Sequence, residues 1–396
     1  LSSDLPIFPL AMEEAGYFVG HTGKTWSPGK LVGAWNGGHP VGKGFQGKKL
    51  VKEERRRGMS ATDYAANFGD FLAERPEGAP FFFWLGTSEP HLGYDVGAGV
   101  RSGKKLGDAA IFGGWPDEGD GGEVFRSDVL DGYLEIEHAD RHLGRALAML
   151  EAAGELANTI VVATSDHGTP LARAKCSLYD AGTRVPLAVR FPERVPAGRR
   201  VTDFASLTDV APTLLEAAGL AVPEATTGRS LWNVLESENG GRVDHSRDRA
   251  VVAFERHTWC RPGGLGYPMR ALRTDQFLYI RNYEPGRWPA GDPDFNAAPQ
   301  GFCGDVDKSP SKTWLVGRTD DPAWAFCYGK RPGEELYDLA SDPEQVVNVA
   351  GEVKYADIKA MLASQLVHYQ RKTADPRVEG KTEWDGMTYH GRKPKN

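Results

Sequence analysis

A carboxylate and an imidazole stand side by side in Ser165-Asp166-His167-Gly168, directly after the β-branched run Asn158–Thr164. Adjacent acid and imidazole side chains at the end of a buried strand can face one cation if the turn is tight, and Gly168 permits such a turn. The carboxylate favours a hard ion such as Ca²⁺ or Mg²⁺, and the imidazole admits Mn²⁺ or Zn²⁺. The same four residues also fit a capping aspartate beside an incidental loop histidine. Lys24 lies in Gly23-Lys24-Thr25, but Phe18 occupies the place where a nucleotide-binding loop needs its first glycine, so that reading is rejected. A lysine at a strand end remains a sensible holder of an oxyanion. His91 follows Pro90, and Lys175 lies nine residues after Asp166, close enough to fold back over a metal. Each of these side chains, taken alone, is also an ordinary loop residue. His138 and His142 are four apart in a helical segment, yet Ala139 stands where a zinc protease needs glutamate, so both are read as a solvated face.

The elements that position these residues follow from hydrophobic periodicity. Leu5–Ala15 reads as a helix and Tyr17–Gly20 as a strand leading to His21 and Lys24. Asp63–Glu74 reads as a helix, with Tyr64, Phe68, Phe71 and Leu72 on one face, and Pro80–Gly86 as the strand leading to Glu89 and His91. Asp128–Ala153 repeats apolar residues at helical spacing and stops at Gly154. Asn158–Thr164 is apolar throughout and predicts a central parallel strand covered on both faces. Val185–Phe191 reads as another strand and Thr208–Ala218 as another helix. Repeated strand–helix–strand order predicts an α/β fold, a mostly parallel central sheet sandwiched by helices. Ligands of such sheets bind beyond the carboxyl ends of the strands, so three strand ends bring Lys24, His91, Asp166, His167 and Lys175 to one predicted pocket.

The texture changes after about Leu235. Ala250–Glu255 and Gln276–Ile280 read as strands, Tyr283–Asp321 as a long ordered loop and Lys354–Tyr369 as a last helix. This predicts a catalytic α/β domain over residues 1–262 and a smaller α+β domain over residues 263–396. The 396 residues carry 47 Lys and Arg against 54 Asp and Glu, a net charge of −7, which argues against non-specific binding to nucleic acid. No apolar run reaches the length of a membrane span. Cys176, Cys260, Cys303 and Cys327 are scattered without a CxxC motif; Cys303 and Cys327 pairing and four free thiols are both open readings.

Several segments together resemble the sulfatase family. Gly16-Tyr17 through Gly23-Lys24 resembles its second signature, Pro90-His91 its Pro-His after a strand, Asn158–Gly168 its metal-binding strand, and Lys175–Pro186 its lysine followed by Tyr-acidic-Gly-x-Arg-Val-Pro. Leu207–Gly219 and Glu335–Ala350 resemble two further family segments, and Gly23–Trp26 with Gly266–Arg270 look most like the heparan N-sulfatase branch. The resemblance implies an alkaline-phosphatase-like fold and a metal-dependent hydrolase of sulfate esters or sulfamates, acting on an anionic sulfated sugar such as N-sulfoglucosamine. It implies Asp166 and His167 as ligands of one divalent cation, usually Ca²⁺. Lys24 and Lys175 would hold sulfate oxygens, while His91 would hold the sulfate and help protonate the leaving group. It further implies a periplasmic, extracellular or lysosome-like compartment. His257, Arg261 and Arg270 suit an anionic sugar and are candidate substrate contacts.

The sequence departs from the family at two places. The formylglycine nucleophile arises from Cys/Ser-x-Pro-x-Arg, a motif these 396 residues do not contain. The family places it, with the remaining aspartate ligands, ahead of the segment matching Leu1, so an upstream segment is expected to carry them. The family histidine two residues after the Gly-Lys lysine is replaced by Trp26, with His21 the candidate substitute. Phosphate or phosphonate monoester hydrolysis on the same superfamily scaffold, and an inactive sulfatase-like protein, are the competing expectations.

Overall fold

The computed structural model describes residues 1, 5–26, 29–33, 35, 38–295 and 297–393. They form two compact units, each assembled from separate stretches. The first comprises residues 1–95, 132–162 and 188–246; the second comprises residues 96–131, 163–187 and 247–396. Residue 262 lies between two strands of the second unit.

In the first unit, β1 (Phe18–Gly23) runs between β2 (Lys43–Gly44) and β3 (Phe81–Gly86), parallel to both. A parallel pair needs a crossover, and the helix Tyr64–Glu74 lies between β1 and β3 in the chain. Asp63 caps it, accepting from the Ala66 amide at 3.0 Å. Strand alternation sends Phe18, Phe81, Phe83 and Leu85 to one face, where they meet Phe68, Phe71, Ala146 and Leu150. Val19 and Phe82 point to the other face, against Phe8, Met12 and Leu214. The sheet is thus helix-covered on both faces, as the apolar runs require. The first helix, Phe8–Glu14, starts after extended Ile7, with proline in its first turn.

The helix Gly119–Ala152 is 34 residues long, nine longer at its start than its apolar stripe suggests, and the left-handed Gly154 follows it. β4 (Val161–Thr164) pairs with β5 (Leu187–Arg190) in a two-stranded sheet, and its residues are half-buried or exposed. The expected burial on both faces is therefore not met among the described residues, because β5 is the only strand hydrogen-bonded to β4.

The second unit is built on an antiparallel sheet of order β6-β7-β8-β9: Arg249–Phe254, Met269–Thr274, Phe277–Asn282 and Glu334–Asp338. One face packs Leu272, Tyr279 and Leu336 against Leu362 and Leu366 of the helix Ala356–Lys372. The other face packs Met269, Ala271, Leu278, Ile280 and Tyr337 against Leu178 and Tyr179. The expected long loop 283–321 contains the helix Pro310–Val316, capped by Ser309. A further helix, Pro322–Tyr328, is capped by Asp321. All four cysteines are free thiols, so Cys303 and Cys327 do not pair.

Candidate active-site residues

β1 and β3 end side by side. The Lys24 amide donates to the Gly86 carbonyl at 2.6 Å, so Lys24 and the turn toward His91 leave the sheet together. A Cβ on residue 86 would lie 1.9 Å from the Lys24 carbonyl oxygen, so only glycine allows the closure. The turn after β3 hangs on one buried carboxylate. Glu89 accepts from the Ser60 amide at 2.7 Å and from the Tyr64 hydroxyl at 2.9 Å, and the Ser88 amide donates to that hydroxyl at 2.9 Å. His91 then lies exposed at the end of the turn, its Nδ1 2.6 Å from the Leu92 carbonyl. Lys24 is exposed as well. His21 lies inside β1 rather than beyond it, is 7% exposed, and pairs Nδ1 with the Val41 carbonyl at 3.0 Å. Burial holds its pKa below the ordinary histidine value.

Behind this turn lies a cluster that the sequence presents as solvated. His138 and His142 are 5% and 2% exposed. They are buried because polar partners meet them there. The Ala65 amide donates to His142 Nδ1 at 3.4 Å, which puts the ring proton on Nε2, facing His138 Nε2 at 3.2 Å. Asp63 lies 3.6 Å from His142 and Tyr64 meets its ring edge-on at 5.1 Å. Burial, with the neighbouring His138, lowers the His142 pKa to about 4.

In the second unit, Asp166 follows β4 and is exposed. Its Oδ1 accepts from the His167 amide at 3.1 Å and lies 3.8 Å from His167 Nε2. His167 Nδ1 sits 2.8 Å from the Gly168 carbonyl, so it carries the proton and Nε2 is the nitrogen with the chemistry of a metal ligand. The chemistry of this pair fits two of the ligands of one divalent cation. Gly168 is required for closeness rather than for a left-handed turn, because a Cβ there would lie 1.8 Å from the Ala181 carbonyl oxygen.

Lys175 is buried, and its ammonium donates to Asp307 at 2.6 Å. Asp307 and Asp305 come from the stretch read as loop, whose polar composition gave no sign that both would be buried at 5% and 0% exposure. Lys312 secures that stretch by donating to the carbonyls of Gln300, Cys303 and Val306, and burial lowers its pKa to about 8. His257 Nδ1 lies 3.6 Å from Asp305. Arg261 spends all five N–H donors on Trp288, Cys260, Leu265, Pro289 and Asp305. Arg270 spends its five on Asp375, Glu255 and the carbonyls of Phe254 and Met269. A ligand reaching either guanidinium would have to displace one of these bonds. Among the described residues no helix is long and apolar enough to cross a membrane.

The sulfatase family model matches residues 3–220, and the model described as N-sulphoglucosamine sulphohydrolase, C-terminal, matches residues 173–288. Human N-sulphoglucosamine sulphohydrolase is 29% identical over 266 residues, covering 64% of this chain and 49% of its own length. The chain spans between 34% and 49% of the length of three such curated sulfatases, this one among them. A solved protein in complex with its substrate D-glucosamine-2-N,6-O-disulfate superposes with a TM-score of 0.62 at 18% identity, over 96% of this chain and 84% of that one. The phosphonate monoester hydrolase of Agrobacterium radiobacter superposes with a TM-score of 0.61 at 18% identity, over 94% and 81%. These superpositions bear out the mixed α/β, alkaline-phosphatase-like fold with its C-terminal part. Because the sulfatase model covers more than half of the residues, the chain belongs to the sulfatase family.

Proposed function

We propose that the protein hydrolyses sulfate esters or sulfamates on sulfated sugars, with N-sulfoglucosamine the first candidate substrate. The observation that carries this reading is the N-sulphoglucosamine sulphohydrolase match over residues 173–288, immediately after the Asp166–His167 pair. In this proposal Asp166 and His167 supply two ligands of a divalent cation, Ca²⁺ by family habit, which offsets charge on sulfuryl oxygens when bound. Lys24 and Lys175 hold sulfate oxygens. His91 holds the sulfate and delivers a proton to the leaving oxygen or nitrogen, a role suited to an exposed imidazole. His257 meets the anionic sugar. Arg261 and Arg270, as bonded here, serve the sugar by fixing the backbone that carries His257 and β7. The formylglycine and the remaining carboxylate ligands come from residues outside this sequence, and a non-cytosolic compartment accompanies that chemistry.

A second reading, phosphonate monoester hydrolysis, is favoured by the shared fold of the Agrobacterium enzyme and by Ser165-Asp166-His167-Gly168. The test is turnover of N-sulfoglucosamine, an aryl sulfate and an aryl phosphonate by the full-length protein. Sulfamate or sulfate turnover, abolished at least about a hundredfold in Asp166→Ala, is expected. Preference for the phosphonate would overturn the substrate class. An upstream reading frame without Cys-x-Pro-x-Arg or Ser-x-Pro-x-Arg would instead mark an inactive member.

A further inference from the structure

A second group of side chains able to bind a metal lies in the second unit, and of its three members only His257 carries a role above. Cys176, His257 and Asp305 present one ligand atom each, all within 4.8 Å of one another. They come from three separate stretches of chain. Cys176 holds a left-handed backbone, φ 61°, which non-glycine residues adopt rarely and which is retained where surrounding structure enforces it. Asp305 is wholly buried and oriented from behind. The Thr258 amide and hydroxyl donate to Oδ1 at 3.0 Å, and Arg261 donates to Oδ2 at 3.0 Å. His257 Nδ1 is shut off from solvent yet makes no hydrogen bond, since Asp305 at 3.6 Å is too distant for one. The His257 side chain is 34% exposed, while its Nδ1 and Asp305 face the interior.

We propose that Cys176, His257 and Asp305 bind one Zn²⁺ ion. A thiolate, an imidazole and a single carboxylate form a borderline-soft ligand set that selects zinc over the oxygen-seeking Ca²⁺ and Mg²⁺. Tetrahedral bonds of about 2.0–2.3 Å place ligand atoms about 3.3–3.8 Å apart, so the group needs to contract by about 1 Å. The bonds from Thr258 and Arg261 to Asp305 supply the outer support that metal-binding carboxylates use. On binding, the Cys176 S–H bond breaks, a S–Zn bond forms and the proton passes to solvent. Coordination through His257 Nδ1 leaves its Nε2 outward for the sugar contact, so the inference stands independently of the proposed substrate.

The full chain, stripped with a chelator, is titrated with Zn²⁺ alone and with Co²⁺ alone. One equivalent of Co²⁺ is expected to give a thiolate-to-cobalt charge-transfer band with strong tetrahedral visible absorption. Cys176→Ser removes the band. His257→Ala, at a partly exposed position that tolerates change, weakens Zn²⁺ binding at least about tenfold. Asp166→Ala leaves both signals in place. Circular dichroism of the metal-free variants separates lost ligation from lost folding. Absence of the band in the unaltered chain, its survival in Cys176→Ser, or its loss in Asp166→Ala would each overturn the proposal.

Discussion

His142 is the residue whose environment departs furthest from its sequence setting. Its folded pKa is about 4 against an ordinary 6.5, so between these values the unfolded chain binds the proton more readily. Stability from this group is complete above pH 6.5 and is lost as the pH falls toward 4, by about 1 kcal/mol at pH 5.5 and about 3 at pH 4. Asp63 next to it has a lowered pKa and titrates below the ordinary carboxylate value, so the interval from pH 7 to 5.5 isolates the histidines. Urea unfolding at those two pH values should show a smaller loss for His142→Gln than for the unaltered protein; equal losses would remove His142 from the pH response. Lys24, His91, Asp166 and His167 were legible as chemistry because each follows an apolar strand. Asp305 and Asp307 were not, because an acidic residue in a polar loop looks the same whether solvent or a buried cation receives it.

At the scale of elements, the closure of β1 on β3 depends on Gly86. Its conformation is open to any residue, and the constraint is steric, a Cβ meeting the Lys24 carbonyl oxygen at 1.9 Å. Gly86→Ala should therefore cost about 1–3 kcal/mol of unfolding free energy, as overpacked sites do. It should also displace the ends from which Lys24 and the His91 turn emerge. Urea denaturation checks the first effect, and an unchanged midpoint would show that the two strand ends part without cost. β1 and β3 were readable as apolar runs, whereas the two-residue, exposed β2 carries no such signal. The helices Pro310–Val316 and Pro322–Tyr328 were missed because each opens on a proline after a capping Ser or Asp, punctuation shared by turns and helix starts. β7 and β9 were missed because their buried Arg270 and Glu335 break the apolar pattern, and their pairing with distant strands overrides it.

At the scale of the molecule, neither compact unit is a continuous piece of chain. The face of the β6–β9 sheet that carries Met269, Ile280 and Tyr337 is covered by Leu178 and Tyr179, which lie far upstream. A fragment of residues 247–396 should therefore keep strand signal in far-ultraviolet dichroism, lose near-ultraviolet dichroism and bind a hydrophobic dye. Rigid near-ultraviolet signal and no dye binding would show that the sheet stands without residues 163–187. The same interleaving has a consequence during synthesis. Tyr179 leaves the ribosome before any strand of its sheet exists, and β9 ends at Asp338. At about 5–20 residues per second, roughly ten to thirty seconds of translation separate the two. Throughout that interval the nascent chain displays an uncovered aromatic and aliphatic segment, a natural station for a holding chaperone.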